Sequence, residues 1–200
     1  GQVTADVLDR AENVEIVSTC GSGYDHIDVA AATDRGVLVT HTPEAPAPGA
    51  IEHAFGFMFT LLCRLPEMFS RTASGEWGEG QTVVNELRDR TIGVAGLGTI
   101  GFEVAKIAQQ AFGADVVAHD PYVDGTAESP SDIYPRVEQL EVESHGITLV
   151  DKQELFEAAS LVTLHVPLNQ STRKMVSTRE LQALSGGYLV NLSRGEVVDE

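Results

Sequence analysis

Three glycines at fixed spacing are the first residues of this sequence that could do chemistry. The run Gly96-Leu-Gly98-Thr-Ile-Gly101 follows a short apolar stretch and precedes a helical pattern. Gly96 permits a tight turn, Gly98 lets the backbone approach a pyrophosphate, and Gly101 lets the helix pack close to the strand. A phosphate then meets the free N–H groups and the positive end of that helix. Residues 91–120 therefore predict a dinucleotide site.

An acidic residue lies at the position where a dinucleotide site needs one. Asp120 ends the next apolar run, about 20 residues after the glycines. A carboxylate at this point accepts hydrogen bonds from both ribose hydroxyls of an adenosine and repels a 2′-phosphate. Pro121 follows where an arginine would suit NADP. The charge of Asp120 and the proline after it therefore favour NAD over NADP. The spacing argues against the alternative interpretation of Asp120, a solvated acid at a strand end.

Arg194 is a candidate for binding a carboxylate. It lies in Ser193-Arg194-Gly195, directly after an apolar strand, where a guanidinium can grip a carboxylate with two hydrogen bonds and face a neighbouring carbonyl. On the residues alone, a surface arginine in a turn is the favoured interpretation. His165 ends a buried strand and is interpreted as a packed histidine. The spacing of the histidines fits neither metal nor triad chemistry, so no metal site is predicted.

Alternating strands and helices must position these residues. Strands are predicted at 14–20, 37–40, 91–95, 146–150, 161–166 and 188–193, and helices at 4–11, 28–32, 51–70 and 152–159 and after Ser177 or Thr178. This order is typical of an α/β fold with a doubly wound parallel sheet. Because ligands of such sheets bind at the carboxyl ends of the strands, one edge should hold Gly96 to Gly101, Asp120, His165 to Pro167, and Ser193 with Arg194.

The glycine turn after the strand predicted at 14–20 has two interpretations. The turn at Gly21-Ser22-Gly23 resembles a second glycine motif, but His26 stands where the third glycine would be. Its residues favour an ordinary strand-to-helix turn over a nest of N–H groups for a small carboxylate.

Residues 41–50 hold three prolines and a glycine and predict a stiff, extended connection. We expect one domain at 1–48 and a second at 49–200.

The helix predicted at 51–70 is apolar on two faces. One face can cover a sheet, and the other predicts contact with another domain or subunit, with a homodimer favoured over a helix enclosed in one domain. Residues 71–90 are predicted to be a connecting loop. The acidic stretch 123–145 is predicted to be a long loop, either a surface elaboration or a mobile flap.

Composition excludes several classes of partner. A formal net charge of −17 and a pI near 4.6 argue against binding to nucleic acid or anionic membranes. Only three of the thirteen basic residues are lysine, which favours a salt-adapted surface over ordinary variation in charge. Cys20 and Cys63 lie in apolar segments and predict buried thiols in a reducing compartment. The most apolar run, Phe55 to Cys63, is too short to span a bilayer, so a cytoplasmic protein is expected.

Four stretches in order resemble the NAD-dependent D-2-hydroxyacid dehydrogenase family. They are CGSGYDHIDVAAATDRGVLVTHTP, GVAGLGTIGFEVAKIAQQAFGADVVAHDPY, TLHVPLNQSTRKMV and YLVNLSRGEVVDE. The resemblance covers nearly the whole chain apart from the acidic stretch after Tyr122. It implies a Rossmann NAD domain with part of a flavodoxin-like substrate domain and an active site in the cleft between them.

The resemblance also implies roles for single residues. Ser22 and Gly23 match the loop whose backbone N–H groups hold the substrate carboxylate, which reverses the interpretation of that turn from its residues alone. The residues that match the NAD site are Gly96, Gly98, Thr99, Ile100, Gly101, Asp120, His165, Val166, Pro167 and Ser193. Arg194 matches the catalytic arginine that orients the carboxylate and polarises the ketone.

The reaction that the resemblance implies is hydride transfer between NAD(H) and a small 2-oxo acid such as glyoxylate, hydroxypyruvate or phosphohydroxypyruvate. The general acid of the family is a histidine paired with a glutamate, and both follow the RGxxVD motif by tens of residues. We therefore expect these two residues beyond Glu200, and expect residues 1–200 to be the interior of a longer enzyme. A non-catalytic NAD-sensing corepressor of the same fold, or a Rossmann protein with an unrelated substrate, is the alternative.

Overall fold

The computed structural model describes residues 1–76, 83–123, 125, 127 and 137–200. The chain divides into two compact units, Gly1–Gly49 and Ala50–Glu200. Within the described residues, no helix has the length and apolar character needed to cross a membrane.

The first unit packs two helices beside a two-stranded parallel sheet. Helix α1 (Ala5–Arg10) precedes strand β1 (Ile16–Thr19), and α2 (Val29–Asp34) leads to β2 (Leu38–His41). The predicted start of α2 is confirmed, because the Asp28 carboxylate accepts the N–H of Ala31 at 2.9 Å. The core of this unit consists of Leu8, Ala31, Ala32 and Val37.

The second unit contains a five-stranded sheet in the order β5-β4-β3-β6-β7, with every strand pair parallel. The strands are β3 (Thr91–Ala95), β4 (Asp115–His119), β5 (Thr148–Leu149), β6 (Leu161–Leu164) and β7 (Tyr188–Asn191). The helices of this part of the chain are α3 (Ala47–Leu62), α4 (Leu65–Ala73), α5 (Thr99–Phe112), α6 (Gln139–Ser144), α7 (Lys152–Ala158) and α8 (Thr178–Ala183). The predicted α/β fold with a parallel sheet is confirmed.

The central strand β3 shows that both faces of this sheet are covered. Ile92 and Val94 are buried in a cluster with side chains of α3 and α5, while Ala95 is buried in a second cluster with Leu155 and Phe156 of α7. Alternate residues of a strand point to opposite faces, so helices pack on both sides. This is the doubly wound arrangement that the sequence predicts.

The helix predicted at 51–70 is in fact two helices. Arg64 has a left-handed backbone (φ 50°) between α3 and α4, and Pro66 lies in the first turn of α4. Proline has no N–H to continue a preceding helix but is tolerated in a first turn. For the same reason α3 begins at Ala47, with Pro48 in its first turn, so the prediction of an extended connection over 41–50 is wrong at its end.

Three other expectations need correction. Helix α4 extends to Ala73 and a short 3₁₀ helix spans Leu87–Asp89, so 71–90 is not all loop; residues 77–82 lie outside the described residues. The acidic stretch 123–145 contains α6, and most of its remainder also lies outside them. Cys20 is exposed and Cys63 half-buried, so the prediction of buried thiols is wrong, since Cys20 follows the last residue of β1 and has left the sheet.

Candidate functional site

The turn between β3 and α5 needs its first glycine for two reasons. Gly96 has a φ of +90°, a conformation that L-residues with a side chain rarely adopt. A Cβ on Gly96 would lie 2.8 Å from the carbonyl oxygen of His165. The backbone N–H of Gly96 donates to the carbonyl of His119 at 2.9 Å, so this residue ties the turn to the neighbouring strand β4.

Gly101 and Gly98 differ in what surrounds them. A Cβ on Gly101 would lie only 1.9 Å from the carbonyl oxygen of Gly96, so α5 can approach the turn only with glycine there. A Cβ on Gly98 would meet no described heavy atom within 4 Å, and Gly98 has an ordinary φ of −69°. Packing among the described residues therefore explains Gly101 but not Gly98, and the open space at Gly98 is available to a ligand.

The N-terminus of α5 has the properties of an anion site. The helix runs for 14 residues from Thr99, with Gly98 as its N-cap and no capping side chain in the described structure. The first N–H groups of a helix have no intrahelical carbonyl partner and carry the positive end of the helix dipole. Thr99 and Ile100 supply such groups at the carboxyl edge of the sheet.

Asp120 lies beside this turn, one residue after β4. One carboxylate oxygen accepts the backbone N–H of Leu97 at 2.8 Å, and the other accepts the N–H of Tyr122 at 2.9 Å. An ionised carboxylate has about four acceptor positions, so two positions are left for further donors. The side chain is therefore held in place while it can still accept hydrogen bonds from a ligand.

His165 follows β6 on the other side of the turn. Burial lowers the pKa of the His165 imidazole to about 4, so the ring is neutral near pH 7. Its Nε2 lies 3.0 Å from the hydroxyl of Thr163, which is fully buried. The interpretation of His165 as a packed histidine is consistent with these contacts. Val166 and Pro167 follow it, and the carbonyl of Pro167 accepts the hydroxyl of Thr172 at 2.5 Å.

Asn191, the last residue of β7, shapes the backbone around Ser193 and Arg194. Its side-chain oxygen accepts the N–H of Ser193, and its side-chain nitrogen donates to the carbonyl of Arg194, each at 2.9 Å. Sequence reasoning missed this residue, although asparagine directly after an apolar run is a known signal for such a turn. Arg194 Nη1 also donates to the carbonyl of Ser193 at 3.3 Å.

Ser193 carries an unexplained polar atom. Its Oγ is buried and has no hydrogen-bond partner among the described residues. Buried hydroxyls nearly always have a partner, so an exception needs a reason. A ligand that donates to or accepts from this hydroxyl would supply one.

The second unit brings most of the predicted site residues to one edge. His119 of β4, Ala95 of β3 and Leu164 of β6 are in register, and Leu164 is opposite Asn191 of β7. Three strand spacings of about 4.8 Å separate the ends of β4 and β7, or about 14 Å. The residues that follow these ends are the glycine turn 96–101, Asp120, His165 to Pro167, and Ser193 with Arg194.

Ser22 and Gly23 lie in the first unit, after the end of β1. The N–H of Gly21 donates to the hydroxyl of Thr42 at 2.9 Å, and the N–H of Thr42 donates back to the carbonyl of Gly21 at 3.0 Å. The carbonyl of Ser22 lies 3.0 Å from Nδ1 of His41. This turn is thus anchored to the end of β2.

These residues fit a dinucleotide. The open space at Gly98, the uncapped start of α5 and the spare acceptor positions of Asp120 suit a pyrophosphate and a ribose. The unpartnered Oγ of Ser193 suits a polar group at the far end of the same edge. No group of three or more histidine, cysteine, aspartate or glutamate side chains that could hold a metal ion occurs in the part of the chain that the structure describes.

Comparison with known proteins agrees with this geometry. Residues 55–200 match the family described as "D-isomer specific 2-hydroxyacid dehydrogenase, NAD binding domain". D-3-phosphoglycerate dehydrogenase of Methanocaldococcus jannaschii is 34% identical over 201 residues, which cover 100% of this chain and 36% of that protein. Hydroxypyruvate reductase of Thermotoga maritima is 33% identical over 200 residues, which cover 100% of this chain and 60% of that protein.

A solved structure matches over nearly the whole chain. The D-lactate dehydrogenase from Aquifex aeolicus, complexed with NAD and lactic acid, has a TM-score of 0.85 and 28% sequence identity. The match covers 99% of this chain and 55% of that one. The chain therefore spans between about a third and three fifths of the length of these relatives.

Proposed function

The chain belongs to the D-isomer specific 2-hydroxyacid dehydrogenase family, and on that premise we propose that it transfers a hydride between NAD(H) and a small D-2-hydroxy acid or the matching 2-oxo acid. NAD is the cofactor of the domain that residues 55–200 match. The observation that carries the proposal is the glycine turn that opens α5 beside Asp120. Glyoxylate, hydroxypyruvate and phosphohydroxypyruvate are the leading 2-oxo acids.

We assign the cofactor contacts residue by residue. The backbone N–H groups of Thr99 and Ile100 bind the pyrophosphate, which passes over Gly98, and Asp120 accepts the adenosine ribose hydroxyls. His165, Val166 and Pro167 line the site near the adenosine, with the His165 ring neutral because burial keeps its pKa near 4. Gly96 and Gly101 hold the turn in shape, and Ser193 contacts the nicotinamide end.

The substrate contacts follow from charge. Arg194 carries a fixed positive charge that orients the substrate carboxylate and polarises the ketone, with its backbone held by Asn191. In the first unit, the backbone N–H groups of Ser22 and Gly23 are assigned to the substrate carboxylate. NAD(H), when bound, supplies or accepts the hydride. We expect the proton to come from a histidine paired with a glutamate downstream of Glu200.

The test is turnover by the full-length protein in high salt. NADH absorbance is followed with glyoxylate, hydroxypyruvate and phosphohydroxypyruvate as separate substrates, beside an Arg194→Lys variant. We expect the wild type to oxidise NADH with at least one of these 2-oxo acids. The kcat/KM of Arg194→Lys should fall at least about tenfold, because lysine cannot form two parallel hydrogen bonds to the substrate carboxylate. NADH binding without turnover would favour a non-catalytic NAD-sensing role. The relatives and the family reported above give no support to that role.

We also propose a homodimer formed through residues 51–70. The support is apolar exposure on α3 and α4, where Phe57 is 45%, Met68 43% and Phe69 69% exposed. Large exposed side chains in one region indicate an interaction surface. Light scattering should give twice the protomer mass, and a monomer at every salt and protein concentration would remove the idea.

We further propose that the protein works in the cytoplasm of a salt-adapted cell. The acidic side chains that give the net charge of −17 repel one another at low ionic strength, and salt screens that repulsion. Cys20 and Cys63 are free thiols, as in a reducing compartment. The unfolding temperature should therefore rise steeply with salt, and a flat salt dependence would contradict the adaptation.

A further inference from the structure

A hydrogen bond joins the Asp120 carboxylate to the glycine turn at Leu97. Leu97 lies in the middle of the glycine turn, and its N–H donates to the Asp120 carboxylate at 2.8 Å across 23 residues of sequence. The Leu97 side chain is 1% exposed and belongs to the core cluster on the α3 and α5 face of the sheet. The turn is thus fixed at Leu97 from two directions.

The carboxylate continues the hydrogen bonding between β3 and β4. Backbone bonding between these strands reaches Gly96, whose N–H donates to the carbonyl of His119. The next donor along the chain, the N–H of Leu97, is accepted by the side chain of Asp120 instead of a backbone carbonyl. A hydrogen bond to an ionised acceptor is stronger than one between neutral groups, and a buried N–H without a partner is costly.

We propose that Asp120 is a positioning residue for the pyrophosphate in addition to its contact with the ribose. By holding Leu97, it fixes the path of the next residues and hence the direction of the N–H groups of Thr99 and Ile100. The bond to Tyr122 holds the carboxylate in the orientation that reaches Leu97. The inference rests on the proposed function in one respect, since it needs a diphosphate ligand at this turn.

The first experiment requires no ligand. Amide hydrogen exchange is measured by NMR in the wild type, Asp120→Asn and Asp120→Ala. Protection of the Leu97 amide falls at least about tenfold in Asp120→Ala and less in Asp120→Asn, which keeps an oxygen acceptor. The Gly96 amide, bonded to the backbone of β4, is the internal control and loses less protection than Leu97. Unchanged Leu97 protection, or an equal loss at Gly96, overturns the proposal.

The second experiment separates the pyrophosphate from the ribose. The probe is 2′,3′-dideoxyadenosine diphosphate, which has the diphosphate but neither ribose hydroxyl, and its affinity for the two variants is measured by calorimetry. Both variants lack the charge of Asp120, and they differ in the side-chain amide, whose oxygen can accept the N–H of Leu97. We expect Asp120→Asn to bind at least about threefold more tightly than Asp120→Ala. Equal affinities, with different Leu97 protection, overturn the proposal.

Failure of the proposed function gives a different result. If the wild type binds neither NADH nor the dideoxy probe, the dinucleotide site is wrong, while the exchange rates of Leu97 still report whether Asp120 holds the turn. If the wild type binds both ligands and the two variants bind the probe equally, the site is right and the positioning role is wrong.

Discussion

Gly98 and Gly101 offer a matched pair of substitutions that separates ligand binding from folding. A Cβ at Gly101 would lie 1.9 Å from the carbonyl oxygen of Gly96, far inside contact distance and against backbone that cannot rotate away. Gly101→Ala should therefore cost about 3 kcal/mol or more of unfolding free energy, the upper end of overpacking effects. The cost arises without any ligand.

At Gly98 the same substitution should leave folding almost unchanged. The added Cβ meets no described heavy atom within 4 Å, and the φ of −69° suits alanine. Alanine is a poorer N-cap than glycine, but it also restricts the unfolded chain, so these effects of up to about 1 kcal/mol oppose each other. If a pyrophosphate approaches the Gly98 backbone, the methyl group blocks it, and NADH affinity should fall by about tenfold to a hundredfold, or about 1.4–3 kcal/mol.

The assay is urea unfolding without cofactor, together with calorimetric titration of NADH, for the wild type and both variants. Gly98→Ala with normal stability and weakened NADH binding supports the assigned path of the pyrophosphate. NADH affinity in Gly98→Ala equal to that of the wild type would refute it. Normal stability of Gly101→Ala would refute the geometry of the turn itself.

Three further predictions concern a buried acid, a buried hydroxyl and the choice of cofactor. Burial acts to raise the pKa of Glu180, but hydrogen bonds from Lys152 and Ser177 outweigh it and lower the pKa to about 2. Because this pKa lies below its ordinary value, the stabilisation is complete above about pH 4.5 and is lost as the pH falls towards 2; the unfolding free energies of the wild type and Glu180→Gln should thus differ near pH 7 and converge near pH 2. Ser193→Ala removes a buried hydroxyl with no partner among the described residues, so it should leave the unfolding free energy of the unliganded protein unchanged or higher while weakening NADH binding, and normal NADH binding would count against the nicotinamide contact. Asp120→Ser combined with Pro121→Arg should raise the ratio of kcat/KM for NADPH to that for NADH at least about tenfold, and an unchanged ratio would contradict the ribose assignment.

The segment from β3 to Asp120 was predictable from the sequence because the residues that determine it lie close together in the chain. Glycine spacing, a short apolar run and a carboxylate at a strand end all lie within 91–120, and parallel strands bring their carboxyl ends to one edge wherever they are joined by helices. The registers of β3, β4, β6 and β7 bring the residues that follow these strands to one edge of the sheet, as the sequence predicts.

The features that the sequence did not predict depend on contacts between distant residues. The bond from Leu97 to Asp120 requires the register of β3 against β4, and the burial of the Ser193 hydroxyl requires the packed structure around β7. The break at Arg64 had a local cause in Pro66, but a continuous apolar pattern concealed it. The hydrogen bonds between the Asn191 side chain and the backbone of Ser193 and Arg194 were predictable, since asparagine often bonds to the backbone two residues further on.

The most direct test of the central claim is the chirality of the product. The full-length protein is incubated in high salt with NADH and hydroxypyruvate or glyoxylate, with phosphohydroxypyruvate alongside, and any chiral hydroxy acid is resolved on a chiral column. Membership of the D-isomer specific family predicts oxidation of one NADH for each hydroxy acid formed and the D isomer as the sole chiral product. An L product, or no product from a protein that binds NADH, would contradict the account.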